Sequence, residues 1–170
     1  MTPTTDAQKN DAPAETTMEP FGFTLSRPAS PLPTEDEFCP RGGRASFAAW
    51  NCFGTLSLEE AYQLLLGDPV TIEEQFAHMG PVAFDYYFPV IDRYIRGVDP
   101  RDPEDSREAR SLGYTVAVQL VDTIDPRLNA EISDLVSHVL THLSDYAPHK
   151  TAQRKVAGAW KRVEKKLRRY

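Results

Sequence analysis

The densest group of side chains that could do chemistry lies at the C-terminus, where cations are concentrated. Residues 150–170 hold nine lysines and arginines against one acid, Glu164, which leaves 10 basic and 24 acidic side chains for the other 149 residues. Clustered cations bind nucleic-acid phosphates by releasing counterions. The sequence therefore predicts phosphate or partner contacts through Arg154, Lys161, Arg162, Lys165, Lys166, Arg168 and Arg169.

The same pattern has a simpler interpretation, in which the basic residues are only the solvated face of an amphipathic helix. At helical spacing, Trp160 and Tyr170 fall on the apolar stripe, so the charged face lacks the aromatic side chains that stack on bases. A basic face alone is also non-specific. We therefore favour a helix that docks on the protein by its apolar side, with nucleic-acid binding as the alternative.

A second group of reactive side chains lies in an aromatic stretch. Tyr86, Tyr87 and Asp85 need hydrogen-bond partners if they are buried, and with His78 they could line a small pocket. Aromatic residues at helical spacing more commonly form a core. We favour core packing and keep the pocket as the alternative.

His138 and His142 have the four-residue spacing at which two imidazoles on a helix can share a metal ion. They lie opposite the apolar stripe of their helix, however, and the glutamate of an H-E-x-x-H motif is absent. We predict a solvated polar face and no metal.

Motifs of enzyme catalysis are missing from the sequence. It contains no G-x-S-x-G and no G-x-G-x-x-G, and Arg41-Gly42-Gly43-Arg44 lacks the Lys-Ser/Thr pair of a phosphate-binding loop. We therefore expect no catalytic residues and no cofactor.

Apolar residues recur at helical spacing after Ser57, where Ser57 and Glu60 form a capping box. The pattern predicts an all-α fold, a single bundle of five or six helices with an extended, partly disordered N-terminal arm. The expected helices cover residues 57–66, 71–79, 81–96, 105–124, 129–146 and 151–170. Pro89 should kink or split the third of them.

The N-terminal part differs in composition, since seven of the 14 prolines lie in the first forty residues. Residues 1–20 carry few apolar side chains, which predicts a disordered tail. Residues 21–56 are predicted to form an extended Pro-rich arm that lays its apolar side chains across the helical domain of residues 57–170. Those side chains include Phe21, Phe23, Leu25, Leu32 and Phe38.

The stretch from Trp50 to Arg96 contains Ala83-Phe84-Asp85-Tyr86-Tyr87-Phe88-Pro89. It resembles a family of small uncharacterised bacterial proteins that share an AF-x-YY-x-P helix after an upstream tryptophan. The N-terminal arm and the basic last helix depart from that pattern. The resemblance implies a bacterial cytosolic origin and no particular activity.

Two function classes follow from these patterns. The first is a non-catalytic interaction protein, such as an immunity-type or accessory factor, whose acidic surface steers a basic protein partner. The alternative is a nucleic-acid-associated protein that uses residues 150–170. No secretory leader and no apolar run of about 18 residues is present, so we expect a cytoplasmic protein without a membrane partner. A small-molecule enzyme would need a concave site near His78.

Overall fold

The computed structural model describes residues 31–97, 105–120 and 125–169, and within these ranges the regular structure is entirely helical. The all-α prediction is confirmed. None of the helices in the described ranges is long and apolar enough to cross a bilayer. In chain order the helices are α1 (Glu35–Phe38), α2 (Arg44–Phe53), α3 (Leu58–Gly67), α4 (Pro69–Phe76), α5 (Pro81–Arg96), α6 (Asp105–Gln119), α7 (Pro126–Thr141), α8 (Leu143–Tyr146) and α9 (Lys150–Leu167).

Helix starts follow the local capping chemistry. Ser57 Oγ accepts from the backbone N–H of Glu60, whose carboxylate accepts from the N–H of Ser57, so the predicted capping box of α3 is present. Helix α4 begins two residues earlier than expected, because the Asp68 side chain accepts from the N–H of Thr71 and Pro69 occupies the first turn.

The described part of the predicted extended arm contains two helices. The prediction of an extended arm is wrong over residues 35–38 and 44–53. Helix α1 begins with a capping box between Thr34 and Glu37. Helix α2 forms because it buries Ala49 and Phe53, which are four residues apart and lie on one side of the helix. The rings of Phe38 and Trp50 meet edge to face at 5.4 Å between centroids. Residues 1–30 lie outside the described ranges, so the tail and the rest of the arm stay predictions.

Helix α5 lies at the centre and is continuous through Pro89. Of the two outcomes predicted for Pro89, a kink or a split, the split does not occur, since eight side chains of α5 are buried and the helix contacts α1, α3, α6 and α7. Packing of this extent offsets the hydrogen bond that a proline removes.

The predicted helix over residues 129–146 forms two helices, α7 and α8, which meet at His142. In α8 the Tyr146 hydroxyl donates to the carbonyl of Ile95 at 3.0 Å. With α1 and α2, this division raises the number of helices in the described ranges to nine, above the five or six expected.

Helices α6 and α9 pack closely, and Trp160 lies at their crossing. Trp160 is fully buried and its Nε1 donates to the carbonyl of Ala109 at 2.8 Å. A Cβ at Gly113 would lie 3.0 Å from Trp160 Nε1, so the absent side chain permits the close approach. This contact directs the cationic side of α9 towards solvent.

Candidate functional site

The seven predicted contact residues divide into exposed cations without a carboxylate partner and cations that bond within the protein. Five predicted contact residues are exposed and have no carboxylate within ion-pair distance among the described side chains. We call them the basic face. They are Arg154, Lys161, Arg162, Lys165 and Arg169.

The other two predicted contact residues are engaged within the protein. Lys166 Nζ donates to the carbonyl of Ala117 at 2.6 Å and more weakly to that of Leu120 at 3.4 Å, and so caps the C-terminal end of α6. Arg168 pairs with Glu164 at 2.7 Å. The Lys166 ammonium is thus held by backbone carbonyls and the Arg168 guanidinium by a carboxylate, so neither is counted among the free cations.

The basic face includes a shallow depression of about 360 Å³. It is lined by Lys161, Arg162, Lys165, Lys166, Arg169 and Gly158, and at Gly158 no atom beyond the local helix backbone lies within 4 Å of the Cβ position. Like charges held around one depression attract an anion such as a phosphate.

An exposed aromatic ring lies beside Arg162, one of the residues that line this depression. Tyr114 of α6 is 42% exposed, and the guanidinium carbon of Arg162 lies 5.2 Å from the centre of its ring. The residue pattern of α9 does not predict this aromatic ring, because Tyr114 belongs to α6. Tyr114 lies off the apolar stripe of its own helix, which predicts exposure, but its place beside Arg162 depends on how α6 and α9 cross.

The predicted pocket around His78 is present as an open groove of about 690 Å³, with different walls from those expected. His78 and Asp85 line the groove, whereas Tyr86 and Tyr87 do not. The groove lies between the α1–α2 region, the α4–α5 junction, the end of α6 and the start of α7. Its lining includes Phe38, Pro40, Arg41, Ser46, Met79, Val82, Phe84, Val118, Gln119, Asp125 and Leu128.

Tyr86 and Tyr87 stabilise the core instead of lining a pocket. The Tyr87 hydroxyl donates to the carbonyls of Phe53 at 2.6 Å and Leu56 at 2.7 Å, and the Tyr86 ring packs edge to face on the Tyr87 ring. Burial raises the pKa of Tyr87 strongly and that of Tyr86 to a lesser degree. Both therefore stay neutral near pH 7, and neither serves as a base.

The polar groups of the groove are largely satisfied by the protein. Gln119 Nε2 donates to the carbonyls of Phe76 and Met79 at 2.6 and 3.1 Å, and Asp85 pairs with Arg127 at 2.7 Å. What remains available to a ligand is mainly apolar surface.

His138 and His142 lie side by side with ring centroids 4.5 Å apart. His138 is half-buried, not solvated as predicted, since it also contacts the ring of Tyr146. Burial, with help from the nearby Arg96, lowers the pKa of His138, so the ring is neutral at pH 7. Within the ranges that the structure describes, no three histidine, cysteine or carboxylate side chains are grouped closely enough to hold a metal ion.

Arg96 beside these histidines bridges two carboxylates, Asp92 at 3.0 Å and Asp134 at 2.6 Å. Burial raises the pKa of Asp92, and Arg96 opposes that rise. Because the acids of this cluster are paired with an arginine, we assign it a structural role.

The chain matches no protein family, no curated protein and no solved structure. The resemblance of residues 50–96 to a bacterial family therefore stays a prediction. Any functional assignment has to come from the basic face, Tyr114 and the groove.

Proposed function

We propose that this protein is a non-catalytic module that binds single-stranded nucleic acid through the basic face. The observation that carries the proposal is the exposed ring of Tyr114 in contact with Arg162, which lines the basic depression. Proteins that bind single strands combine cations that follow the backbone with aromatic rings on which bases stack.

The state of the charges supports this proposal over a merely solvated helix. The chain carries 25 acidic residues, so carboxylate partners are abundant. Even so, the five cations of the basic face have no carboxylate partner among the described residues. Unpaired cations on an acidic protein retain their attraction for an external anion.

The acidic surface, which would suit a basic protein partner, has less support. Several of its carboxylates are paired with arginines, as in the contacts of Glu59 with Arg93 at 2.6 Å and of Asp85 with Arg127 at 2.7 Å. Each such pair reduces the negative potential available for steering a partner. Binding of a basic protein stays a prediction.

The experiment measures fluorescence anisotropy of a labelled single-stranded oligonucleotide of about 15 bases, a length within the site sizes of such proteins. Five phosphate contacts predict a slope of about −3.5 for the logarithm of affinity against that of salt concentration. Replacing Tyr114 with Ala should reduce affinity about tenfold or more through lost stacking, at unchanged salt slope.

Tyr114→Phe is the matched control, because it keeps the ring and removes only the hydroxyl. It should bind as well as the unmodified protein. Equal binding by Tyr114→Ala, or equal affinity for the base-free polyanion heparin, would show that the basic face attracts charge alone and would refute nucleic-acid recognition.

A further inference from the structure

We propose that the groove beside His78 is the docking site of a segment of this same chain, Phe21–Leu25, which lies outside the described residues. The inference concerns a different surface from the basic face and does not depend on nucleic-acid binding.

The groove offers apolar surface that the described residues leave uncovered. Val82 is 51% exposed and Val118 is 54% exposed, and both line it. Beneath them lie Phe38, Met79 and Phe84. Because the groove's Gln119 and Asp85 already have protein partners, an occupant gains mainly by burying apolar side chains there.

The segment has the side chains that such a groove needs. In residues 1–30 the large apolar side chains are Met1, Met18, Phe21, Phe23 and Leu25, and the last three alternate with Gly22 and Thr24. In an extended chain alternate side chains point to the same face. Phe21, Phe23 and Leu25 would therefore enter the groove together.

The position of the groove along the chain also fits this occupant. Phe38, Pro40 and Arg41 form part of its wall, and the N–H of Gly80 donates to the carbonyl of Phe38 at 2.8 Å, so the chain already runs beside the groove at that point. Five residues lie between Leu25 and Pro31, and the six steps from one to the other can span at most about 20 Å. The segment is thus tethered close to the groove.

Charges at the rim complement those that flank the segment. Arg41 and Asp125 line the groove, and the segment is preceded by Glu19 and followed by Arg27. Docking would therefore allow Glu19 to pair with Arg41 and Arg27 to pair with Asp125.

The test is a disulfide cross-link in the full-length chain, with the native thiols removed by Cys39→Ser and Cys52→Ser. Phe23→Cys is combined with Val82→Cys, which places one thiol in the segment and one at the exposed wall. The matched control combines Ala14→Cys with Val82→Cys. Docking predicts that the intramolecular disulfide forms at least about tenfold faster in the first protein, because docking raises the local thiol concentration.

Adding Phe21→Ser and Leu25→Ser to the first protein should reduce the rate to that of the control. Equal rates in the first protein and the control would overturn the proposal. A disulfide mainly between two molecules would assign the groove to a second copy and would also overturn it. Circular dichroism establishes that each variant keeps its helices.

Hydrogen exchange provides a second measurement that needs no new cysteine. Docking should slow exchange of the backbone amides of Val82 and Ala83, in the first turn of α5 where the helix offers them no partner. Phe21→Ser with Phe23→Ser should speed exchange at these amides, whereas the control Met18→Ser should not. Unchanged exchange in the double variant contradicts docking.

Discussion

The basic face makes its sharpest prediction for a double substitution, Lys161→Gln with Lys165→Gln. Both side chains are exposed and line the depression around Gly158, and neither has a carboxylate partner among the described residues. Glutamine has nearly the helix propensity of lysine, so the fold should be unaffected. The change removes two of the five proposed phosphate contacts.

The expected effect follows from counterion release, in which each single-strand contact contributes about 0.7 to the salt slope. The slope should fall in magnitude from about 3.5 to about 2.1, and affinity at 0.1 M salt should fall about 25-fold. Raising the salt from 50 to 200 mM should reduce the affinity of the unmodified protein about 130-fold, but that of the double variant only about 20-fold. Anisotropy titrations at several salt concentrations measure all three quantities.

The matched control is Arg41→Gln with Arg44→Gln, which changes the net charge equally at exposed positions in the N-terminal part of the fold. Its salt slope should equal that of the unmodified protein. An equal reduction in both double variants would mean that only net charge matters. An unchanged slope in Lys161→Gln with Lys165→Gln would refute phosphate contacts at the basic face.

Three further predictions concern the fold that presents this face. Lys166→Gln should lower the free energy of unfolding by about 1–2 kcal/mol through loss of the cap on α6, with the salt slope unchanged, as denaturant titration and anisotropy would show. Gly158→Ala should raise the free energy of unfolding by about 0.5–1 kcal/mol, because alanine has the higher helix propensity. Gly113→Ala should lower the free energy of unfolding by about 1–3 kcal/mol, because its Cβ would press on Trp160. Urea titrations in which both variants change stability in the same direction would contradict the packing of α6 on α9. Glu73 is buried with Oε2 unbonded, and burial raises its pKa in the folded protein. The folded state therefore binds a proton at Glu73 more tightly than the unfolded state does. The stability gained from this protonation is lost as the pH rises through the raised pKa. Glu73→Gln should therefore be more stable than the unmodified protein at pH 7, and its advantage should disappear near pH 4; an advantage of equal size at both pH values would exclude ionisation as the cause.

Local patterns in the sequence predicted most of the helices from residue 57 onwards, although not the division between α7 and α8. The Ser57–Glu60 capping box and the apolar spacing of residues 81–96 act within one or two turns, so they can be read without knowing the neighbours. Helix α2 escaped prediction because Gly43 provides no side-chain cap and the stretch follows a Pro-rich segment. Its apolar residues are explained by tertiary contacts, with α1, with α4 and with Tyr87 of α5.

Tertiary structure alone decided which cations are available and what lies beside them. Lys165 and Lys166 are adjacent and chemically identical, yet Lys165 is exposed and Lys166 caps α6 across 49 residues of chain. Tyr114 reaches Arg162 for the same reason, since both contacts depend on the crossing of α6 and α9. The sequence thus shows that α9 is rich in cations. Which of these cations are exposed, and that the Tyr114 ring lies beside them, depends on the packing of Trp160 against Gly113, two residues distant in the chain.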